Sequence, residues 1–231
     1  MNEAIIQLCI PFAIVAIGLF VLGGLIWLFG CHGIDKIRHP KEWKDKGSSG
    51  EQIVYRMLVD NIHVPENQIL RNVYVPAGNG KTSEIDLLVI SKKGLLVFEC
   101  KNYSGNIYGD ATRDKWIQYL GKKKSFFYNP FMQNRSHVKY LKKYLEDYGD
   151  LPAIPMVSTI TAGKWKVKNY GPEDYLLGYN CHLKDILAKT PDSELMAQHF
   201  KAIMAKLQPL SRPDESIRKE HIEQIKNGKR N

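Results

Sequence analysis

The sequence predicts an α/β domain carried behind one membrane-spanning helix. Three observations lead there. A long uncharged apolar run lies near the N-terminus, a central stretch gathers aliphatic and β-branched residues into short runs punctuated by Gly, Asn and Pro, and flanking segments repeat their apolar residues at helical spacing.

The first element is the run from Ala4 to Gly30, which contains no charged residue. A bilayer core needs roughly 20 apolar residues in a helix, so residues 1–30 are read as an N-terminal transmembrane helix. A cleaved secretory signal would need a positive n-region and a shorter apolar core, but only Glu3 is charged before this run. A lipid-attachment box at Leu28-Phe29-Gly30-Cys31 is a third reading; the bulky Phe29 and the missing N-terminal Lys or Arg argue against it. No Lys or Arg precedes the span, whereas Lys36, Arg38, Lys41, Lys44 and Lys46 follow it closely. The positive-inside rule then places the C-terminal domain in the cytoplasm, at the cell membrane, attached by a single pass. Cys9 and Cys31 sit in or at the span, leaving only Cys100 and Cys181 in the rest, with no C-x-x-C pair, so the sequence offers neither a zinc site nor a disulfide framework.

Residues 31–48, with Gly33, Pro40, Gly47 and Ser48, read as a juxtamembrane linker, 49–208 as one domain and 209–231 as a polar basic tail forming a loosely held helix. Within the domain, Ile53, Val54, Met57 and Leu58 predict a first helix over Ser49–Val59, with Glu51 in its first turn. Strands are expected at Ile69–Val75, Ser83–Ile90 and Gly94–Lys101, with Pro76–Gly80 as a loop; this is an antiparallel meander. Gly105–Tyr108 continues extended, and Lys115–Leu120 pairs with Ser125–Tyr128 across the basic turn Gly121–Lys124. Val138, Leu141 and Leu145 predict a helix over Phe131–Tyr148, Ile154–Ile160 a buried strand, and Leu183–Lys189 and Glu194–Leu207 two further helices.

Net charge is +9, from 33 basic and 24 acidic residues, which favours polyanionic partners: nucleic acid or an anionic membrane surface. Against this basic background, carboxylates inside apolar strands stand out. If the turn is symmetric about Lys92-Lys93, residues summing to 185 face each other, setting Asp86 opposite Glu99 and Glu84 opposite Lys101. A three-residue loop with a bulge at Gly94 would instead set Asp86 opposite Cys100. Like charges that close destabilise a sheet unless a cation neutralises them, and Mg²⁺ (or Mn²⁺) takes one or two carboxylates and keeps several waters. Asp86 and Glu99 are therefore the candidate metal ligands. Lys101, on the same strand face as Glu99, is placed to orient or deprotonate an attacking water, or to neutralise charge on a phosphate. A buried structural ion pair is the plain alternative; one lysine would leave one acid unpaired. Tyr103, Tyr108, Trp116 and Tyr119 are read either as core or as stacking surfaces, and Lys122, Lys123 and Lys124 as a solvated tip or a nucleic-acid contact.

Gly50-Glu51, the run Glu84–Ser91, the run Gly94–Asn102 followed by Gly105, and Asn129-Pro130 with Gln133 and His137 together resemble the nuclease-related domain, NERD, over roughly Gly47–Leu145. The resemblance implies the PD-(D/E)XK nuclease superfamily and a restriction-endonuclease-like core, a mixed central sheet flanked by helices. It also implies Asp86 and Glu99 as metal carboxylates, Lys101 as the catalytic lysine, Glu51 as the acid of the first helix and Gln133 as the polar position of the following helix. The expected function is a membrane-anchored, Mg²⁺-dependent deoxyribonuclease acting on the cytosolic side. The alternatives are a catalytically weak nucleic-acid-binding module and a membrane-tethered interaction scaffold.

Overall fold

The computed structural model describes residues 46–159, 164–169, 171–172, 174–177, 183–211 and 215–228, all within one compact unit, Trp43–Asn231. The apolar run Ala4–Gly30 lies outside the described residues, as does Cys181. Among the described residues no helix is long and apolar enough to cross a membrane.

Helix α1 (Lys46–Arg56) continues into a π-helical turn, Met57–Asn61. Three antiparallel strands follow, β1 (Ile69–Gly78), β2 (Lys81–Ser91) and β3 (Gly94–Lys101). The expected loop at Pro76–Gly80 is shorter than read: β1 runs on to Gly78 through a bulge, and the chain turns at Asn79-Gly80, both at positive φ. Strand β7 (Ala153–Thr159) lies parallel to β3, and β9 (Tyr175–Leu177) parallel to β7, giving a mixed sheet in the order β1-β2-β3-β7-β9. Parallel neighbours need a crossover. Between β3 and β7 the crossover carries a second sheet, β4 (Asn106–Asp110), β5 (Lys115–Leu120) and β6 (Lys123–Tyr128), followed by helix α2 (Pro130–Tyr144). Strand β8 (Trp165–Lys168) completes that sheet in the order β6-β5-β4-β8.

The central sheet is buried on both faces. Leu88, Ile90, Leu95 and Val97 pack with Leu141 of α2 and with Met196, Ile203 and Leu207 of α4 (Glu194–Leu207). Leu87, Val89, Leu96 and Phe98 pack with Val54 and Leu58 and with Leu183 of α3 (Leu183–Lys189). This is why β2 and β3 read as continuous apolar runs. The second sheet buries one face only, through Ile107, Trp116, Phe127, Trp165 and Val167. The tail is tied down more firmly than expected: helix α5 (Glu215–Gly228) seats His221, 8% exposed, edge-on to Tyr74, and Gln224 accepts the Thr82 N–H at 3.2 Å.

Asn129 joins the second sheet to α2. Its Oδ1 accepts the Phe131 N–H at 2.9 Å, an N-cap, with Pro130 in the first turn where no N–H is needed. Its Nδ2 donates to the carbonyls of Ala111 (3.0 Å) and Arg113 (2.9 Å) in the β4–β5 connection. Asn129→Ala should therefore cost about 2–4 kcal/mol, from a lost cap and two orphaned carbonyls. Thermal unfolding followed by circular dichroism checks this, with a fall in midpoint of roughly 5–15 °C.

Candidate active site

The turn between β2 and β3 decides where the acids meet. The pairing runs from Ser91↔Gly94 to Leu87↔Phe98, the two-residue turn at Lys92-Lys93, so the bulged alternative is not the one adopted. Gly94 accommodates it with φ 140 while lying against the Pro152 carbonyl, where a Cβ would sit 2.6 Å away. Beyond Leu87↔Phe98 the ladder gives way to side chains: Asp86 Oδ2 accepts the Cys100 N–H at 2.7 Å.

The ladder stops there because the sheet changes face. Leu87 and Val89 belong to the layer beneath α1, yet Ile85 lies in the opposite layer with Leu88 and Ile90. Strict alternation would put Ile85 with Leu87. On the paired strand Ile69 and Val73 are split in the same way, and between them Asn72 takes φ 49, a left-handed conformation that asparagine tolerates better than most residues. Asp86 lies at this reversal. Asn72 Nδ2 reaches both Glu51 Oε2 (3.2 Å) and Glu84 Oε1 (3.3 Å). Glu84 thus turns toward Asn72 and His221 (3.6 Å), not toward Lys101 as the register alone suggested.

Glu99 is 1% exposed, and both of its oxygens have partners. Oε1 pairs with the Lys101 ammonium, and Oε2 lies 2.9 Å from His137 Nε2. Nδ1 of His137 lies 2.7 Å from Ser83 Oγ, which completes a buried Ser83–His137–Glu99 chain. Its order resembles that of a hydrolytic triad, but Ser83 is 8% exposed and enclosed by the core, so the chain holds Glu99 in place and offers no accessible nucleophile. Lys101 also donates to Gln133 Oε1 at 3.2 Å. Gln133 and His137, one helical turn apart on α2, therefore address the same lysine–carboxylate pair.

Burial pushes the Asp86 carboxyl well above its ordinary value; Glu99 and Glu51 push the same way, against Lys101 and the Cys100 N–H. Burial raises Glu51 too. Burial works on Glu99 in the same direction, but the Lys101 ammonium and the His137 bond outweigh it and hold that carboxyl below its ordinary range. Burial disfavours the Lys101 ammonium, yet Glu99 and then Asp86 raise its pKa overall. Lys101 is thus shared between two acids, Glu99 and Asp86, while Glu51 has Asn72 and the more distant Arg71 and Arg218. Among the described residues no group of three or more His, Cys, Asp and Glu side chains is gathered as a ready cage. The donor set is a pair of hard carboxylates, Asp86 and Glu99, with Glu51 nearby, and burial together with Glu99 and Glu51 makes Asp86 costly to ionise unless a cation stands beside it; such a set fits Mg²⁺ or Mn²⁺.

Of the residues read from the sequence, Asp86, Glu99, Lys101, Glu51 and Gln133 come together here. Lys122, Lys123 and Lys124 are exposed on the β5–β6 hairpin, away from this network of bonds, and Trp116 is fully buried. Sequence reasoning missed Asn72, whose signal was an asparagine in mid-strand, and Ser83, which carried none.

The fold is α/β, with two mixed sheets, helices on its faces and a buried carboxylate–lysine site. The sequence pattern of the nuclease-related domain, NERD, matches residues 46–160. An uncharacterized protein of Bacillus anthracis is 33% identical over 191 residues, covering 82% of this chain and 87% of that protein. The chain belongs to the nuclease-related domain family. No solved structure matches it.

Gly50 explains how Glu51 reaches the site. A Cβ added at Gly50 would lie 2.9 Å from the Asn102 Cβ, just past β3, so α1 comes this close only because the position is glycine. Gly50→Ala should cost about 1–3 kcal/mol as α1 is pushed off. Differential scanning calorimetry should show a midpoint lower by roughly 3–10 °C; an unchanged midpoint would mean that the helix does not pack this tightly.

Proposed function

We propose that this chain is a membrane-anchored, Mg²⁺- or Mn²⁺-dependent nuclease that hydrolyses phosphodiester bonds of DNA on the cytosolic side. One observation carries the reading: Asp86, in mid-β2 where its pairing with β3 ends, meets Glu99 and Lys101 at the end of β3, with Gln133 bonded to the lysine and Glu51 close to Asp86. Family membership supports a nuclease-related activity on nucleic acid, and the net charge of +9 suits a polyanion. The uncharged Ala4–Gly30 run and the basic residues that follow it support the anchor and its orientation.

Asp86 and Glu99 would hold the cation, which when bound polarises a phosphoryl oxygen and lowers the pKa of a bound water. Lys101 stays an ammonium beside Glu99, so its part is to hold charge developing on the phosphate and not to remove a proton. Gln133 fixes the lysine's direction, and His137 with Ser83 fixes the carboxylate's. A second reading, a binding module with little turnover, is favoured by the engagement of both Glu99 oxygens by Lys101 and His137.

The test uses the full chain in detergent, incubated with plasmid and linear DNA in Mg²⁺, Mn²⁺ or EDTA. Cleavage is expected with either metal and none in EDTA. Asp86→Asn and Lys101→Met should each lower the rate by roughly a hundredfold or more while thermal unfolding stays cooperative. DNA binding without cleavage under every condition would select the binding module. Cleavage that persists in EDTA and in both variants would sink the metal-site reading.

His137→Gln separates positioning from chemistry. If His137 only orients Glu99, the variant should need several-fold to tenfold more Mg²⁺ for half-maximal cleavage, while the rate at saturating metal falls less. A metal titration of the cleavage rate measures both quantities.

A further inference from the structure

The second sheet has a face that the core does not use. Alternation sends Ile107, Trp116, Phe127, Trp165 and Val167 inward. The residues between them form the outer face. Across the four strands one row reads Lys166, Tyr108, Ile117, Phe126, set by the pairs Tyr108↔Lys166, Tyr108↔Ile117 and Ile117↔Phe126. Beside it lie the pairs Lys115↔Tyr128 and Tyr119↔Lys124. Tyr108 is 40% exposed, Tyr128 51% and Phe126 60%. Cross-strand contacts such as Tyr108 edge-on to Tyr119 at 5.6 Å support the sheet, but they leave these rings well exposed as a group, which marks a contact surface.

The lysines belong to the same pattern. Lys166 Nζ lies 5.7 Å from the Tyr108 ring centroid, and Lys124 Nζ lies 5.0 Å from Phe126 and 5.9 Å from Tyr119. Lys115, Lys166 and Lys168 line the open groove over Tyr108 and Phe126, together with Arg113. The acids bordering that groove are Asp110 and Asp114, and Asp110 is already bonded to Thr112 and Asn169 and lies 3.9 Å from Lys168. Exposed ring faces separated by cationic heads suit a ligand that alternates flat apolar rings with anions. A single-stranded polynucleotide has that chemistry, whereas a duplex keeps its ring faces stacked inside. Tyr108 and Phe126 are two strands apart, about 10 Å, a distance over which successive unstacked bases can each find a ring.

We propose that the outer face of the second sheet, centred on Tyr108 and Phe126 and flanked by Lys115, Lys124 and Lys166, is a stacking platform for single-stranded nucleic acid. The proposal rests on the reading of the chain as acting on nucleic acid, and it adds the strand state bound and the surface that binds it. Three of the sheet's strands, β4 to β6, are inserted between Lys101 and Gln133, which are bonded to each other, so both ends of that insertion start at the acidic site. A strand held on the platform would be delivered toward that site.

The experiment measures fluorescence anisotropy of labelled single-stranded and double-stranded DNA oligonucleotides, and a single-stranded RNA, with the full chain in detergent and EDTA. The wild type should bind the single strands more tightly than the duplex. Tyr108→Ala and Phe126→Ala should each raise the single-strand Kd roughly tenfold, and Lys166→Gln should flatten the log Kd against log salt slope by about 0.7. Each variant's circular dichroism must match the wild type, and Tyr108→Phe, which keeps the ring, should restore binding. If the wild type binds and cleaves DNA but Tyr108→Ala and Phe126→Ala change no Kd, the platform is overturned and the nuclease reading stands. If the wild type binds neither strand form, both fall. Loss of adhesion to phosphatidylserine vesicles in the two variants, with oligonucleotide binding unchanged, would assign the face to a lipid surface and overturn the proposal.

Discussion

The constraint on which the rest of the site depends is the burial of the Glu99 carboxylate. At 1% exposure it would be costly to ionise alone, and burial by itself would drive it toward the neutral acid. Lys101 and His137 keep it charged, and each must come from an element held at a fixed distance. Lys101 is two residues along the same strand, so the pleat supplies it. His137 comes from α2, whose seat on the sheet is fixed by Asn134 as well as by apolar packing: its Nδ2 donates to the carbonyls of Val97 (2.9 Å) and Met156 (3.0 Å) on adjacent parallel strands. A charged group inside the fold thus forces a chain of polar commitments outward from it.

Asp86 shows the opposite solution. It has the Cys100 N–H and little else to stabilise its charge, while burial, Glu99 and Glu51 all oppose ionisation. Two carboxylates on paired strands, one kept anionic by a lysine and a histidine and one left needing a cation, form an asymmetric site. The face reversal at Asn72 produces that asymmetry: it sends Glu84 to Asn72 and His221 and leaves Asp86 at the junction, away from any lysine of its own.

Much of this was legible in the amino acids. Acids inside apolar runs are conspicuous, and Ser91-Lys92-Lys93-Gly94 admitted two registers, one of which the structure adopts. The helices over Leu183–Lys189 and Glu194–Leu207 were delimited by periodicity alone. What could not be read has physical causes. Trp165–Lys168 does alternate, but four residues are too few for a period to be distinguished from chance, and Tyr175–Leu177 is shorter still. The reversal at Asn72 leaves no trace in β2, because a strand buried on both faces shows apolar residues whichever way they point. The hold on α5 comes from His221, Gln224 and a tyrosine far away in sequence, contacts that a polar helix does not announce.

The position of the second sheet follows from topology before function. A parallel β3–β7 pair obliges the chain to cross over, and whatever is placed in that crossover begins where β3 ends, at Lys101, and finishes where α2 begins, three residues before Gln133. The insertion is coupled to the site by construction. Trp116, buried among Phe127, Phe131 and Trp165 with its Nε1 on the Asp110 carbonyl, ties β4, β5, β6 and β8 to one another, and Asn129 joins the β4–β5 connection to the first turn of α2. A sheet so anchored has one face committed to holding α2 in place and one face turned to solvent, held together only by contacts across its own strands. On that face cross-strand pairs account for the choice of strand-forming aromatics, but not for rings left this exposed and interleaved with lysines, a combination that suits an anionic, ring-bearing ligand.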